Sequence, residues 1–182
     1  MCSNRVMGWA AIMAFLAAIG LGCSTAAAPP VSLALVDQAG LEAEIARHRG
    51  KVVVLDCWST SCPPCVKEFP RLVDLAGRYG DDVVCLSLSF DYEGIGSPED
   101  VVPRVRTFLE AVGAGRVVNL LGREEADSLA KKLDIVSVPV VYVYGPDGGL
   151  VRRFDEDDAA KRLGRPFNYD DVEAAVRGAI GR

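Results

Sequence analysis

The sequence predicts one α/β domain, a three-layer sandwich with a mixed central sheet flanked by helices. Three observations carry that prediction. Short β-branched apolar runs alternate with segments whose apolar residues recur at helical spacing. The last two runs flank Pro146-Asp147-Gly148, a hairpin signal. The chain has 182 residues, half of them apolar and a quarter charged, which suits a single core that needs no disulfide staples.

The elements follow in order. Val31–Val36 reads as a strand, and the residues around Leu41 and Ile45 as a helix. Lys51–Cys57, with Val52, Val53, Val54 and Leu55, is too short and too β-branched for a helix, so it is a buried strand. Pro63–Tyr79 carries Val66, Phe69, Leu72, Val73 and Leu75 at helical spacing, and Asp82–Phe90 is another buried strand. A polar loop, Asp91–Asp100, leads to a helix with Val101, Val105, Phe108, Leu109 and Val112 on one face. Val117–Leu121 reads as a short strand and Glu124–Leu133 as a short helix. Pro139–Tyr144 and Leu150–Phe154 form the hairpin. Asp170–Ile180 closes the chain as a helix with Val172, Ala175, Val176 and Ala179 aligned. Early strands joined through helices imply parallel pairing, while the hairpin adds antiparallel strands. The domain is expected over residues 31–182, without internal repeats.

The first residues read as a targeting segment. Arg5 supplies a positive start, and Val6–Gly22 is an uncharged apolar run, short for a membrane span and ending in small residues. Residues 1–22 are therefore expected to be a signal peptide and 23–30 an Ala/Pro tether. Two endings compete. Gly20-Leu21-Gly22-Cys23 resembles a bacterial lipobox, which would make Cys23 a lipidated residue, although Gly20 stands where that motif has a Leu-like residue. Ala26-Ala27-Ala28 offers an ordinary cleavage site. Either ending places the domain outside the cytoplasm. The formal charge of -5, with no basic cluster, argues against a nucleic-acid partner.

Beyond Cys2 and Cys23, four of the six cysteines remain. Cys57 and Cys85 sit in or at the end of apolar strands, where a free Cys behaves as a small hydrophobe. Cys62 and Cys65 are three apart at the start of a helix, a spacing that shares one helix face and closes into a disulfide with little adjustment. Pro63 and Pro64 fall in the first turn, where a missing N–H costs least. Cys62 then lies at the positive helix end, as nucleophile, and Cys65, one turn in, as the resolving thiol. A closed zinc site needs more ligands than this chain supplies, since His48 is its one His and stands beside Arg47 and Arg49. Two thiolates could hold Cu(I) instead.

The segment Asp56-Cys57-Trp58-Ser59-Thr60-Ser61-Cys62-Pro63-Pro64-Cys65-Val66-Lys67-Glu68-Phe69-Pro70 resembles the thioredoxin superfamily. It is most similar to extracytoplasmic reductases of the TlpA and ResA type. Trp58, Glu68 and Pro70 match positions of that pattern, and the likeness extends from about Val31 to Ile180. The resemblance implies a cis Val138-Pro139 bond beside the disulfide, with the Val138 backbone pairing to an extended substrate. Trp58, Pro63, Pro64, Val138 and Pro139 would then form the substrate-binding surface. Asp56, six residues before Cys62 at a strand end, matches the buried acid of thioredoxins. Burial would raise its pKa, fitting it to exchange a proton with Cys65. Two departures stand out. Ser61 occupies a position that is often Trp in the family, and the opening hairpin of TlpA-type domains is replaced by a strand and helix.

The expected function is thiol-disulfide exchange with exported protein substrates, without metal or organic cofactor. The resemblance implies reduction in the manner of cytochrome c maturation and recharging by a membrane electron donor; a monomer is expected because nothing in the sequence suggests an obligate interface. An oxidant or isomerase is the nearest alternative, because potentials vary widely within the fold. A thiol peroxidase would want a Thr or Ser three residues before a single attacking Cys, and Thr60 stands two before Cys62. A Cu(I)-binding module is the non-enzymatic alternative.

Overall fold

The computed structural model describes residues 29–181. The expected signal segment 1–22, the lipidation candidate Cys23 and most of the 23–30 tether lie outside the described residues. Among the described residues, no helix is long and apolar enough to cross a membrane.

Twelve principal elements follow the order β1 (Ala34–Val36), α1 (Gln38–Arg47), β2 (Val52–Trp58), α2 (Pro63–Tyr79), β3 (Val83–Ser89), α3 (Pro98–Ala111), β4 (Val118–Gly122), α4 (Ala126–Lys132), β5 (Val140–Tyr144), β6 (Leu150–Phe154), α5 (Glu156–Arg162) and α6 (Tyr169–Ala179). The strands form one six-stranded sheet in the order β1-β4-β3-β2-β5-β6. β2 pairs parallel with β3 and antiparallel with β5, so the sheet is mixed as expected.

All seven residues of β2 are buried, as a central strand covered on both faces requires. Its side chains alternate between two cores. Val52, Val54 and Trp58 join Phe69 and Leu72 of α2, Val105 and Leu109 of α3, and Val172 and Val176 of α6. Val53, Leu55 and Cys57 join Leu41 of α1 and Leu129 of α4 on the opposite face. This alternation directs Asp56 toward the α2 and α6 face. The sheet edges are short or charged: β1 has three residues, and β6 carries Arg152 and Arg153, paired with Asp158 and Asp155.

Three expectations need correction. The first strand covers only Ala34–Val36, rather than Val31–Val36. α3 begins at Pro98, inside the expected loop, because Ser97 and Asp100 form a capping box around a Pro at the first helical position. The sequence reading also missed α5. Its signals were caps and charges, with Asp155 accepting a bond from the Asp158 N–H, acids in the first turn, and Lys161 and Arg162 in the last. Ala159 is its one buried residue, so there was no apolar stripe to find.

Candidate active site

The site forms where β2 leaves the sheet and α2 begins. Cys62 and Cys65 are joined as a disulfide with Cα atoms 5.3 Å apart. Cys62 is the N-cap of α2, and its Sγ accepts the Cys65 N–H at 3.3 Å. The two prolines explain that contact. Pro63 and Pro64 have no N–H, so the first donor at this helix end belongs to Cys65 and points at the Cys62 sulfur. Negative charge released on that sulfur meets both a donor and the positive end of a 17-residue helix. Cys62 is half-buried, whereas Cys65 is 3% exposed. The two sulfurs thus differ in access.

The Val138-Pro139 bond is cis, and the Val138 carbonyl oxygen lies 3.7 Å from Cys62 Sγ. The structure therefore brings Cys62, Cys65, Pro63, Pro64, Val138 and Pro139 together. Trp58 is different. It is fully buried and packs between Phe69 and Phe108, with ring centroids 4.6 and 4.8 Å away. The expectation that it lines the substrate surface is corrected: it supports the start of the active-site loop from below.

Asp56 is 4% exposed, and the Tyr169 hydroxyl donates to its Oδ2. Its Oδ1 has no hydrogen-bond partner. Burial pushes the carboxyl up to about 7, against a smaller downward pull from the Tyr169 bond. The Tyr169 hydroxyl is itself driven upward, first by burial and then by neighbouring Asp56, so it stays a donor at neutral pH. Asp56 and Cys65 line one cavity, so a protonatable group shares that space with the less accessible of the two cysteines.

Sequence reasoning missed Tyr169 and Asp91. Asp91 opens the expected polar loop, yet it is 2% exposed. Its carboxylate accepts the Thr60 N–H at 3.1 and 3.2 Å and the Ser89 hydroxyl at 2.6 Å, and it pairs with Arg104 at 3.2 Å. Asp91 therefore holds the loop from Trp58 to Cys62 against the end of β3. The Ser-x-Asp ending of the apolar strand was the available signal. The peroxidase comparison is also corrected. The residue three before Cys62 is Ser59, whose hydroxyl lies 2.9 Å from that of Ser61 and accepts the Ser61 N–H at 3.2 Å. Thr60 is the wrong residue to test.

Two hollows flank the disulfide. A groove of about 410 Å³ runs past Ser59, Ser61 and Val138, with Glu93, Glu125 and Asp127 on its walls. A cavity of about 510 Å³ opens on the other side, beside Cys65 and Pro139. Among the described residues, no group of three or more His, Cys, Asp or Glu side chains is placed to hold a metal ion. His48 caps α1 and lies 3.0 Å from Glu44.

Residues 25–153 match the AhpC/TSA family. Relatives named thiol-disulfide oxidoreductase ResA occur in several bacteria. That of Halalkalibacterium halodurans is 39% identical over 54 residues, covering 30% of this chain and 31% of that protein. That of Bacillus thuringiensis is 23% identical over 130 residues, covering 71% and 69%. The chain thus aligns with under a third of the first relative's length. Among solved structures, a thiol-disulfide isomerase from Corynebacterium glutamicum superposes with a TM-score of 0.58 at 17% identity, covering 85% of this chain and 97% of that one. This likeness carries the fold, and the family match carries the membership. The chain belongs to the AhpC/TSA family, with a thioredoxin-like fold and a Cys62–Cys65 disulfide at the start of α2.

Proposed function

We propose that this protein is a thiol-disulfide oxidoreductase acting on protein substrates. The observation that carries the reading is the placement of the Cys62–Cys65 disulfide, with Cys62 capping α2 and facing the cis Val138-Pro139 loop. In the reducing direction, the Cys62 thiolate attacks one sulfur of a substrate disulfide. A mixed disulfide forms, and the first substrate sulfur leaves as a thiolate that takes up the proton Cys62 had released to solvent. The Cys65 thiol passes its proton to Asp56 and attacks the Cys62 sulfur. That step closes the Cys62–Cys65 bond and expels the second substrate sulfur, which takes up the proton. The substrate gains two electrons and two protons, and a donor must then reduce the enzyme again. Asp56 suits the transfer because its carboxyl, held near neutrality by burial, exchanges protons at working pH.

The direction we favour is reduction outside the cytoplasm. The apolar Val6–Gly22 run, Cys23 and the resemblance to TlpA- and ResA-type reductases support it. Recharging by a membrane electron donor and a role in cytochrome c maturation follow the same resemblance. The isomerase name of the Corynebacterium glutamicum structure favours the alternative direction.

The deciding measurement is the reduction potential of the Cys62–Cys65 couple in dithiothreitol or glutathione buffers. A value at or below about −250 mV supports the reductase. A value of about −120 to −180 mV assigns an oxidant or isomerase instead. Absence of a reversible two-electron couple rejects the oxidoreductase reading and favours the Cu(I) module.

A further inference from the structure

Ser59, Thr60 and Ser61 carry the chain from the end of β2 to the Cys62 cap of α2. The start of this segment is held. Trp58 is packed in the core, and its carbonyl oxygen accepts the Phe90 N–H at 2.8 Å. Two of the N–H groups that follow stay within the segment: Ser61 donates to the Ser59 hydroxyl at 3.2 Å, and Cys62 to the Ser59 carbonyl oxygen at 3.2 Å. The Thr60 N–H turns outward instead, to the Asp91 carboxylate, and the Thr60 hydroxyl donates to the same group. Asp91 is thus the outside anchor of a short segment whose far end carries the attacking sulfur.

The anchor is itself fixed from two sides. The Ser89 hydroxyl donates to Asp91 Oδ2 at 2.6 Å and accepts the Asp91 N–H at 3.2 Å. From α3, Arg104 Nη2 lies 3.2 Å from Asp91 Oδ1 and donates to the Asp91 carbonyl oxygen at 3.1 Å. The Asp91 side chain is fully enclosed. Hydrogen bonds to an ionised group are about twice as strong as neutral ones, and a connected set in a low-dielectric place reinforces itself.

Opening the disulfide changes what this anchor has to hold. While the Cys62–Cys65 bond is closed, Cys62 is tied covalently. Once it opens, the Cys65 N–H on Cys62 Sγ and the anchored segment remain. We propose that Asp91 is a positioning residue for disulfide exchange, which acts through Thr60 to keep Cys62 on the cap of α2 after its bond to Cys65 has opened. The proposal rests on the disulfide-exchange reading and adds a residue to its machinery. A sulfur kept at that cap stays against the Cys65 N–H and the positive helix end, so its thiolate is stabilised and the reduced form gains over the oxidised one. A direct effect of the Asp91 charge has the opposite sign, because a nearby carboxylate disfavours a thiolate. Direction therefore separates the two accounts.

The test is Asp91→Asn in the full chain. An amide has one oxygen where the carboxylate has two, so part of the donor set loses its partner. In the reduced protein, the pH dependence of Cys62 alkylation by iodoacetamide should move upward by about half a unit or more. Dithiothreitol gives up two electrons and two protons as it closes to its own cyclic disulfide. Opening half of the Cys62–Cys65 bonds at pH 8 should need a ratio of reduced to oxidised dithiothreitol about threefold higher than in the unmodified chain. Asp56, which titrates near this range, is common to both chains and cancels in the comparison. A purely structural Asp91 would lower the stability of oxidised and reduced chains alike and leave both quantities unmoved. No shift, or a shift in the opposite direction, overturns the proposal. If Asp91→Asn does not fold, Thr60→Val decides: it removes the hydroxyl donor, keeps the N–H, and should move both quantities the same way by less. Thr60→Ser, which keeps the hydroxyl, should stay at the unmodified values, and an unshifted Thr60→Val overturns the proposal. Failure of the unmodified reduced chain to open a peptide disulfide counts against the exchange reading instead and leaves these comparisons standing.

Discussion

Cys57 and Cys62 are five positions apart, yet the backbone gives them opposite chemistry. Cys57 sits within β2, fully buried on the α1 and α4 face. Burial, helped by neighbouring Asp56, drives its thiol well above the ordinary range. Cys62 sits just past the end of the same strand, half-buried, with the Cys65 N–H directed at its sulfur. Cys85 repeats the contrast from β3: burial, with a further push from Asp56, also drives its thiol upward. Reactivity here belongs to the strand-to-helix junction and not to the cysteine as a residue type. A strand commits its N–H groups to the sheet ladder, whereas a helix start leaves them free.

The largest expected effect tests this contrast directly. After reduction, a thiol-alkylating reagent should modify Cys62 at least about 10³-fold faster than Cys57 or Cys85, which must await unfolding. Mass spectrometry of timed digests reads the order, and early labelling of Cys57 would break the comparison. Next, Cys62→Ser should cut protein-disulfide reduction by on the order of 10³-fold or more, while Cys57→Ala retains it. Loss of activity in Cys57→Ala with the fold intact would make the two pairs functionally alike.

Asp56→Asn should slow exchange by on the order of 10²-fold and remove any rate change centred near pH 7. The same substitution has a predictable effect on stability. The folded carboxyl protonates more readily than the unfolded one, about 7 against 3.8. Its burial penalty is therefore absent below about pH 4, grows between those values, and is complete above pH 7. Asp56→Asn should stabilise the fold by on the order of 4 kcal/mol at pH 8 and by little at pH 4. Chemical denaturation at both pH values checks the sign. The smallest effect concerns the structural pair. Cys85→Ser should lower stability by about 1–3 kcal/mol with the exchange rate unchanged, so that packing is separated from chemistry.

What could be read from the sequence was local and periodic. The run Cys62-Pro63-Pro64-Cys65, its helix and the buried strand before it follow from spacing and residue type, and the structure reproduces their arrangement. Asp56 was traceable because a lone acid ending an apolar strand is conspicuous. Its partner was not. Tyr169 lies 113 positions away and meets Asp56 only because α6 packs on the face toward which β2 turns that side chain. Asp91 escaped for a related reason: beyond the Ser-x-Asp ending of the strand, nothing local says that its carboxylate turns inward to meet Thr60 and Arg104. Trp58 shows the reverse error, a family landmark assigned to the surface when its ring belongs to the core.

The sheet edges bear on solubility at high concentration. An open strand edge can recruit another chain through its unpaired backbone groups. β1 offers only three residues for that, and β6 places two arginines, engaged with Asp155 and Asp158, along the opposite border. Short and charged borders thus leave little free backbone on which another chain could add a strand.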